Sequence, residues 1–536
     1  MGTGPLTMQR RELMLAAGFA GSALLAGCRA EPAPLQGDWV GATPARGHRL
    51  RVALPEIPAA GQGPLRKIRV LVVGAGVSGL ACARTLVKAG IDEVALLELE
   101  DGAGGNSRSH RMAGMACPLG AHYLPLPGPE APEVAELLHE LGLARHELGR
   151  TVFDERHLCH SPQERLFFEG QWHEGLLPPA GDAGTLAQYR RFGRLVDEAQ
   201  RELGFAIPSS RARWTAGHAA LDGQTFAAWL DAQGLNAARL RWYLDYCCRD
   251  DYGAPSAEVS AWAGLHYFAS RHGFHAPGDE GGEREAVLTW PEGNAWLTER
   301  MATALGPQSL QTGRTVQRIS PGRHGVELLA WNESADAPER WQAEHVVLAV
   351  PLFIARRLLT SAPPALQAAA ARLQHAPWLV ANLQLKGPLL DRLGVGPAWD
   401  SVVYGSQALG YVDAMHQQTR PYPGPTVLSA YWALARGQRA ALLQQDWQTW
   451  AGRVIADLQT THPDLSEQLL RVDLARSGHA MSIPLPGVRG DPALAALRGP
   501  QSGRLHFAHS DLAGYSVFEE AYTQGVAVAR QLVASL

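Results

Sequence analysis

Val70 to Val73 is an unbroken apolar run, and Gly74-Ala75-Gly76-Val77-Ser78-Gly79 follows it with no spacer. A buried strand passing directly into G-x-G-x-x-G constrains this chain more than any other feature. The first glycine makes the tight turn, the second lets the backbone approach a pyrophosphate, and the third allows a helix to pack closely on the strand. The spacing predicts that helix over 79–89, with free N–H groups and a partial positive charge at its start. Val94 to Leu97 reads as the next strand. It ends in Glu98, where a carboxylate can accept ribose hydroxyls. Together these form a βαβ unit, the signature of an α/β, Rossmann-type domain that binds a dinucleotide.

At 536 residues, 46% of them hydrophobic, the chain is long enough for more than one core. A net charge of −4 with mixed signs leaves no basic stripe for a nucleic acid. The only lysines are Lys67, Lys88 and Lys386. No C-x-x-C spacing occurs, which excludes the usual zinc, iron–sulfur and thioredoxin patterns and points to buried free thiols.

The N-terminus reads as an export signal. Arg10-Arg11 precede an apolar run from Leu13 to Gly27, shorter than the ~20 residues that cross a bilayer. The arginine pair resembles a twin-arginine signal, and Leu25-Ala26-Gly27-Cys28 resembles a lipobox. The expectation is folded export through the twin-arginine machinery, lipidation of Cys28, and a lipoprotein held at the periplasmic face of a bacterial membrane. Residues 29–65, rich in Pro, Gly and Ala, read as the linker.

Further motifs follow in order. Leu97-Glu98-Leu99-Glu100-Asp101-Gly102-Ala103-Gly104-Gly105-Asn106-Ser107-Arg108, then Pro118-Leu119-Gly120-Ala121-His122-Tyr123 and Trp290-Pro291-Glu292-Gly293-Asn294, are similar to segments of the flavin amine oxidases and the related phytoene-desaturase-like enzymes. So are Thr315-Val316-Gln317-Arg318-Ile319, Leu348-Ala349-Val350-Pro351 and Leu505-His506-Phe507-Ala508-His509-Ser510-Asp511. The resemblance implies FAD. It assigns Gly104 and Gly105 to the pyrophosphate and ribityl chain, with Asn106 in the family's arginine position and Arg108 as a substitute. It places Gly120, Ala121 and His122 beside the flavin ring, the Val316 backbone at the adenine, and Ser510 and Asp511 at the ribityl chain. Ala521, Gly525 and Ala529 form a small-residue stripe on a predicted helix over 518–533.

The family lysine falls near Val380, so no lysine is expected at the flavin. Gly514-Tyr515 resembles the segment supplying one wall of an aromatic cage, which makes Tyr515 the candidate catalytic residue, displaced two places from the family spacing. Trp242, Tyr243, Tyr246, Trp262, Tyr267 and Phe268 read as core aromatics or cavity walls, the core being the commoner use. Asp245, Asp250 and Asp251 read as a solvated face that could attract a polyamine, and Glu519 and Glu520 as acids suited to a helix start.

The expected layout is a discontinuous FAD-binding domain at 66–124, 281–362 and 481–536, interleaved with an α+β substrate domain at 125–280 and 363–480. The expected activity is oxidation of an amine or polyamine C–N bond. An isoprenoid or carotenoid-type desaturase or dehydroxylase, and a non-catalytic or electron-relaying flavin-binding lipoprotein, are the alternatives.

Overall fold

The structure is a computed structural model that describes residues 2, 35–51, 65–159, 162–271, 273–278, 286–418, 423–498 and 503–536. Arg10, Arg11, Cys28 and most of the expected linker lie outside the described residues.

The βαβ unit is formed by strand β1 (Leu65–Val73), helix α1 (Val77–Lys88) and strand β2 (Val94–Leu97). The helix starts two residues before the expected position because Gly76 is extended and serves as its N-cap. β1 pairs in parallel with β2, from Val70 opposite Val94 to Val73 opposite Leu97. On its other side β1 pairs in parallel with the strand Ala337–Leu348, and the strand Leu505–Phe507 joins that one at Val346 to Leu348. One sheet is thus built from the two ends and the middle of the chain. Val70 to Val72 and Val346 to Leu348 are each fully buried, as strands covered on both faces must be. Arg314–Pro321 and Val326–Asn332 extend the sheet as an antiparallel meander.

The C-terminal helix, Phe518–Ser535, lies on α1. The small-residue stripe explains how. A Cβ on Gly525 would stand 2.1 Å from the Ser78 carbonyl oxygen and 2.9 Å from the Ala81 Cβ, so the two helices approach at a distance that only glycine permits.

A second sheet centres on His375–Leu385, which pairs antiparallel with Thr426–Ala433 on one side and Leu469–Ser482 on the other. After the helix Pro132–Glu140, the substrate-domain segment carries the strands Ala144–Glu147, Arg150–Phe153, Glu164–Phe168 and Gln171–Glu174. Glu164–Phe168 pairs with Asp400–Val403 and so joins this second sheet. A longer helical run starts where Asp182 caps the Thr185 N–H at the head of Ala183–Leu203. Ala238–Tyr252 and Ala261–Ala269 complete a helical layer. Their aromatic faces form one core with strand residues such as Val380 and Tyr431.

Residues 37–51, read from sequence as part of a linker, belong to the folded body. Leu50 is buried in the same core as Leu71 and Val73, and Thr43 and Arg46 are anchored on the residues after β2. Low periodicity hid this because polar anchors and a few scattered apolar side chains, Trp39, Val40 and Leu50, hold the segment. Cys82, Cys117, Cys159, Cys247 and Cys248 are free, as expected. Among the described residues there is no cluster suited to a metal ion.

Candidate functional site

A cavity of about 460 Å³ runs from the Gly-rich turn into the space between the two sheets. At one end it is lined by Gly74, Gly76, Val77, Ser78, Glu98, Gly104, Gly105, Asn106 and Arg108. These belong to the turn, the end of β2 and the loop after it, brought together by the parallel pairing of β1 and β2. The Gly104 N–H donates to the Ala75 carbonyl (2.7 Å), which lays the second Gly-rich loop against the first.

Glu98 is 9% exposed, and its carboxylate accepts from the Ala75 N–H (2.7 Å) and the Glu100 N–H (2.9 Å). Burial raises its pKa, while the two backbone N–H groups and Arg108 oppose that rise. Gly79 does not line the cavity. A Cβ there would stand 1.9 Å from the Gly74 carbonyl oxygen, so it serves the close packing of helix on turn. Ser78 lines the cavity and donates from its hydroxyl to the Ala508 carbonyl (2.6 Å), tying the turn to the C-terminal segment. Asn106 donates to the Ala480 carbonyl (2.7 Å), and Arg108 donates to the carbonyl oxygens of Gly105 (3.1 Å) and Gly41 (3.4 Å).

Gly120, Ala121, His122, Ser510 and Asp511 also line the cavity. His122 stacks on Tyr431 with ring centroids 4.3 Å apart, and burial pushes its pKa down to about 3, which keeps it neutral. Asp511 is fully buried and accepts from the Leu352 N–H (2.9 Å) and lies 3.1 Å from His375 Nε2. Burial by itself would raise its pKa, but His509 and His375 outweigh that and hold it well below the usual carboxylate range. His375, His479 and His509 all face this part of the cavity. Val316 does not: its side chain lies in the core of the β1 sheet, on the strand whose Arg314 N–H donates to the Glu98 carbonyl (2.7 Å).

Tyr515 needs correction. It is fully buried, does not line the cavity, and donates its hydroxyl to Glu520 (2.7 Å). Gly514 takes a left-handed conformation at φ 86°, which turns Tyr515 into the core against Tyr252, Trp262 and His266. Val517 and Phe518 reach the cavity in its place. Besides Phe518, His375, His479 and His509, the rings that line it are His122, Tyr123, Trp378 and Tyr431, with Val380 beside them where the family lysine would fall. Lys386 lies at the surface, bonded to the Glu467 carbonyl (2.7 Å). Trp242, Tyr243, Tyr246, Trp262, Tyr267 and Phe268 lie in or against the core and line no part of the cavity.

The solvated-face reading fails for two of three aspartates. Asp245 caps Ser256 away from the cavity, but Asp250 and Asp251 line it together with Arg271. Asp251 pairs with Arg271 (3.2 Å). Asp250 is pushed up to about 7, by burial first and then by the charge of Asp251. Asp400 is raised well above the carboxylate range by burial and by Glu164 and Asp250. The last turn of one helix and two strands of the second sheet therefore concentrate acids at the inner end. Glu520 is also buried, accepting from the Ser209 N–H (2.5 Å), whereas Glu519 lines the cavity. Sequence reasoning missed Asp400, Glu164, His375, His479, Trp378 and Tyr431. The alternation within 375–385 and 426–433 is the signal that could have offered the two aromatics.

The residues fit FAD. The adenosine end has a buried carboxylate on a strand end, and the pyrophosphate zone has four glycines whose missing side chains leave backbone facing the cavity. The remainder of the cavity is walled by aromatic rings and acids.

Comparison with known proteins agrees. Residues 77–533 match the family described as flavin containing amine oxidoreductase. The human amine oxidase (flavin-containing) B is 28% identical over 307 residues, covering 55% of this chain and 53% of that protein. Polyamine oxidase 1 of Oryza sativa subsp. japonica is 27% identical over 316 residues, covering 55% and 54%. The chain thus spans about half the length of the curated relatives it matches. The solved structure of wild-type putrescine oxidase bound to putrescine superposes with a TM-score of 0.65 at 20% identity, over 88% of this chain and all of that one, a likeness of fold.

Proposed function

Since the chain belongs to the flavin containing amine oxidoreductase family, we propose that it dehydrogenates the C–N bond of an amine bearing a further positive charge, a polyamine being the favoured class. When bound, FAD supplies the acceptor for the hydride at N5. The observation that carries the substrate class is the acid cluster at the inner end of the cavity, where Asp250 faces the space with Asp251, and Asp400 and Glu164 add to its field. Asp251 already has Arg271 as its partner, so Asp250, desolvated and repelled by its acidic neighbours, is the carboxylate that gains most from an arriving cation.

His122, held neutral by burial, adds no opposing charge on the way in. Trp378, Tyr431 and His122 wall the path with rings that attract ammonium groups and exclude water. An isoprenoid desaturase would need a long apolar tunnel, and these acids oppose it. Putrescine oxidase and polyamine oxidase among the similar proteins support the polyamine class.

We also propose that the chain is an exported lipoprotein of the periplasmic face. The support is the Arg10-Arg11 pair and the Cys28 lipobox. Among the described residues no helix is long and apolar enough to cross a membrane.

The test is anaerobic bleaching of the protein-bound flavin by putrescine, spermidine, a monoamine and an isoprenoid. Bleaching by the di- and polyamines ahead of the monoamine is expected. Bleaching by the isoprenoid alone would overturn the assignment, and none with any compound would favour the electron-relaying alternative.

A further inference from the structure

The segment 37–51 precedes the region shared with the family, which starts at residue 77, yet part of it forms cavity wall. Gly41 and Ala42 line the cavity at the same end as Gly76, Gly104 and Glu98. The next residue is fastened twice to one side chain: the Thr43 N–H and hydroxyl donate to the two carboxylate oxygens of Glu100 at 2.7 and 2.8 Å. Glu100 in turn donates its own N–H to Glu98 (2.9 Å), the carboxylate placed for the ribose.

Three arginines complete the fastening. Arg46 bonds both carboxylate oxygens of Asp101 (2.9 and 3.1 Å) and the Leu99 carbonyl (3.0 Å). Arg49 pairs with Glu333 (3.0 Å), and Arg108, itself a cavity residue, donates to the Gly41 carbonyl (3.4 Å). Beyond these, Leu50 is buried at 5% exposure in the core beneath β1. Glu100 is 13% exposed, so the Thr43 bonds are sheltered; Arg46 is 16% exposed but Asp101 79%, so their bidentate pair adds geometric specificity at a solvent-facing edge.

We propose that residues 41–50 are a strap over the dinucleotide end of the cavity. It holds the cofactor in place, and it must swing off Glu100 and Asp101 for FAD to enter or leave. The Thr43–Glu100–Glu98 series is its positioning element, since what fixes the strap also orients the ribose carboxylate. The inference rests on the flavin reading of the cavity. It adds a kinetic barrier to release that the glycine-rich loops do not by themselves provide, and it assigns a cofactor-retaining role to a stretch whose composition suggests only a spacer.

The experiment measures the rate of FAD release from full-length holoprotein, followed by flavin fluorescence after dilution into an excess of the apoprotein of an FAD-dependent enzyme as a trap. The wild type is compared with Thr43→Val, Arg46→Gln and the double variant. Circular dichroism and the melting temperature of each apoprotein report folding independently of flavin. Removing a bidentate charge-assisted pair and a doubly bonded threonine is expected to speed release by about tenfold or more in the double variant. The fold is expected to be unchanged. Arg46→Lys, which keeps the charge but loses the two-pronged geometry, is expected to fall between wild type and Arg46→Gln. Release rates within about twofold of wild type in the folded double variant would overturn the strap while leaving the flavin reading intact. A wild type that binds no flavin would overturn both.

Discussion

Asp250→Asn tests the acid end of the cavity through stability and binding at once. Asp250 has its pKa pushed from 3.8 to about 7, chiefly by burial and then by Asp251. A carboxyl whose folded pKa lies above its unfolded one favours folding only while protonated. Its cost is small below about pH 4, grows as the pH rises, and levels off above about pH 7, where the group ionises in the folded state as well. Three pKa units at ~1.4 kcal/mol each set an upper bound of ~4 kcal/mol at pH 8. Repulsion is shared with Asp251 and Glu164, so roughly 1–3 kcal/mol should be recovered by the neutral asparagine. Urea denaturation of both proteins at pH 4, 6 and 8 reads the difference. The variant is expected to match wild type at pH 4 and to be the more stable at pH 8. Putrescine at pH 8 should raise the wild-type midpoint and barely move that of the variant, because the cation relieves a repulsion that asparagine does not have. A stability difference independent of pH, or equal stabilisation of both proteins by putrescine, would refute the reasoning.

Glu98→Gln keeps the shape but weakens acceptance from the Ala75 and Glu100 N–H groups, and it is expected to raise the FAD dissociation constant by about ten- to a hundredfold, measured by fluorescence titration. Tyr515→Phe leaves the buried Glu520 without its hydroxyl donor and is expected to cost ~1–2 kcal/mol in urea unfolding while the rate of flavin reduction by amine stays at the wild-type value. A slowed reduction would restore Tyr515 to the cavity. Gly525→Ala forces a Cβ to within 2.1 Å of the Ser78 carbonyl, so the last helix must back away from α1. A loss of ~1–3 kcal/mol and reduced flavin content in the purified protein are expected, since Ser78 and the adjoining turn line the cavity.

The nucleotide unit was legible from sequence because its physics is local. A turn that needs glycine, a strand buried on both faces and a helix seated on the turn all leave marks within about 30 residues. The segments around Glu98, Gly104, Gly120 and Asp511 were legible for the same reason, since each is a short local string, and all four line the cavity. The stripe of Ala521, Gly525 and Ala529 announced a close helix contact, although only the fold showed that the contact is with α1. Tyr515 was misplaced because one left-handed residue, Gly514, decides which way the following side chains alternate, and sequence spacing does not record that.

What the sequence determined by itself is therefore the Rossmann-type unit, the cofactor class and the family. What only tertiary structure decided is where the charges and rings meet. Asp250 stands in a run of polar residues that reads as a solvated face, and becomes an inner-wall acid because the helical layer presses it toward Glu164 and Asp400 on the second sheet. Residues 37–51 read as spacer and become cavity wall because their anchors, Glu100, Asp101 and Glu333, lie 50 or more positions away in the chain. Desolvation and long-range pairing belong to the packed molecule, and no window of sequence contains them.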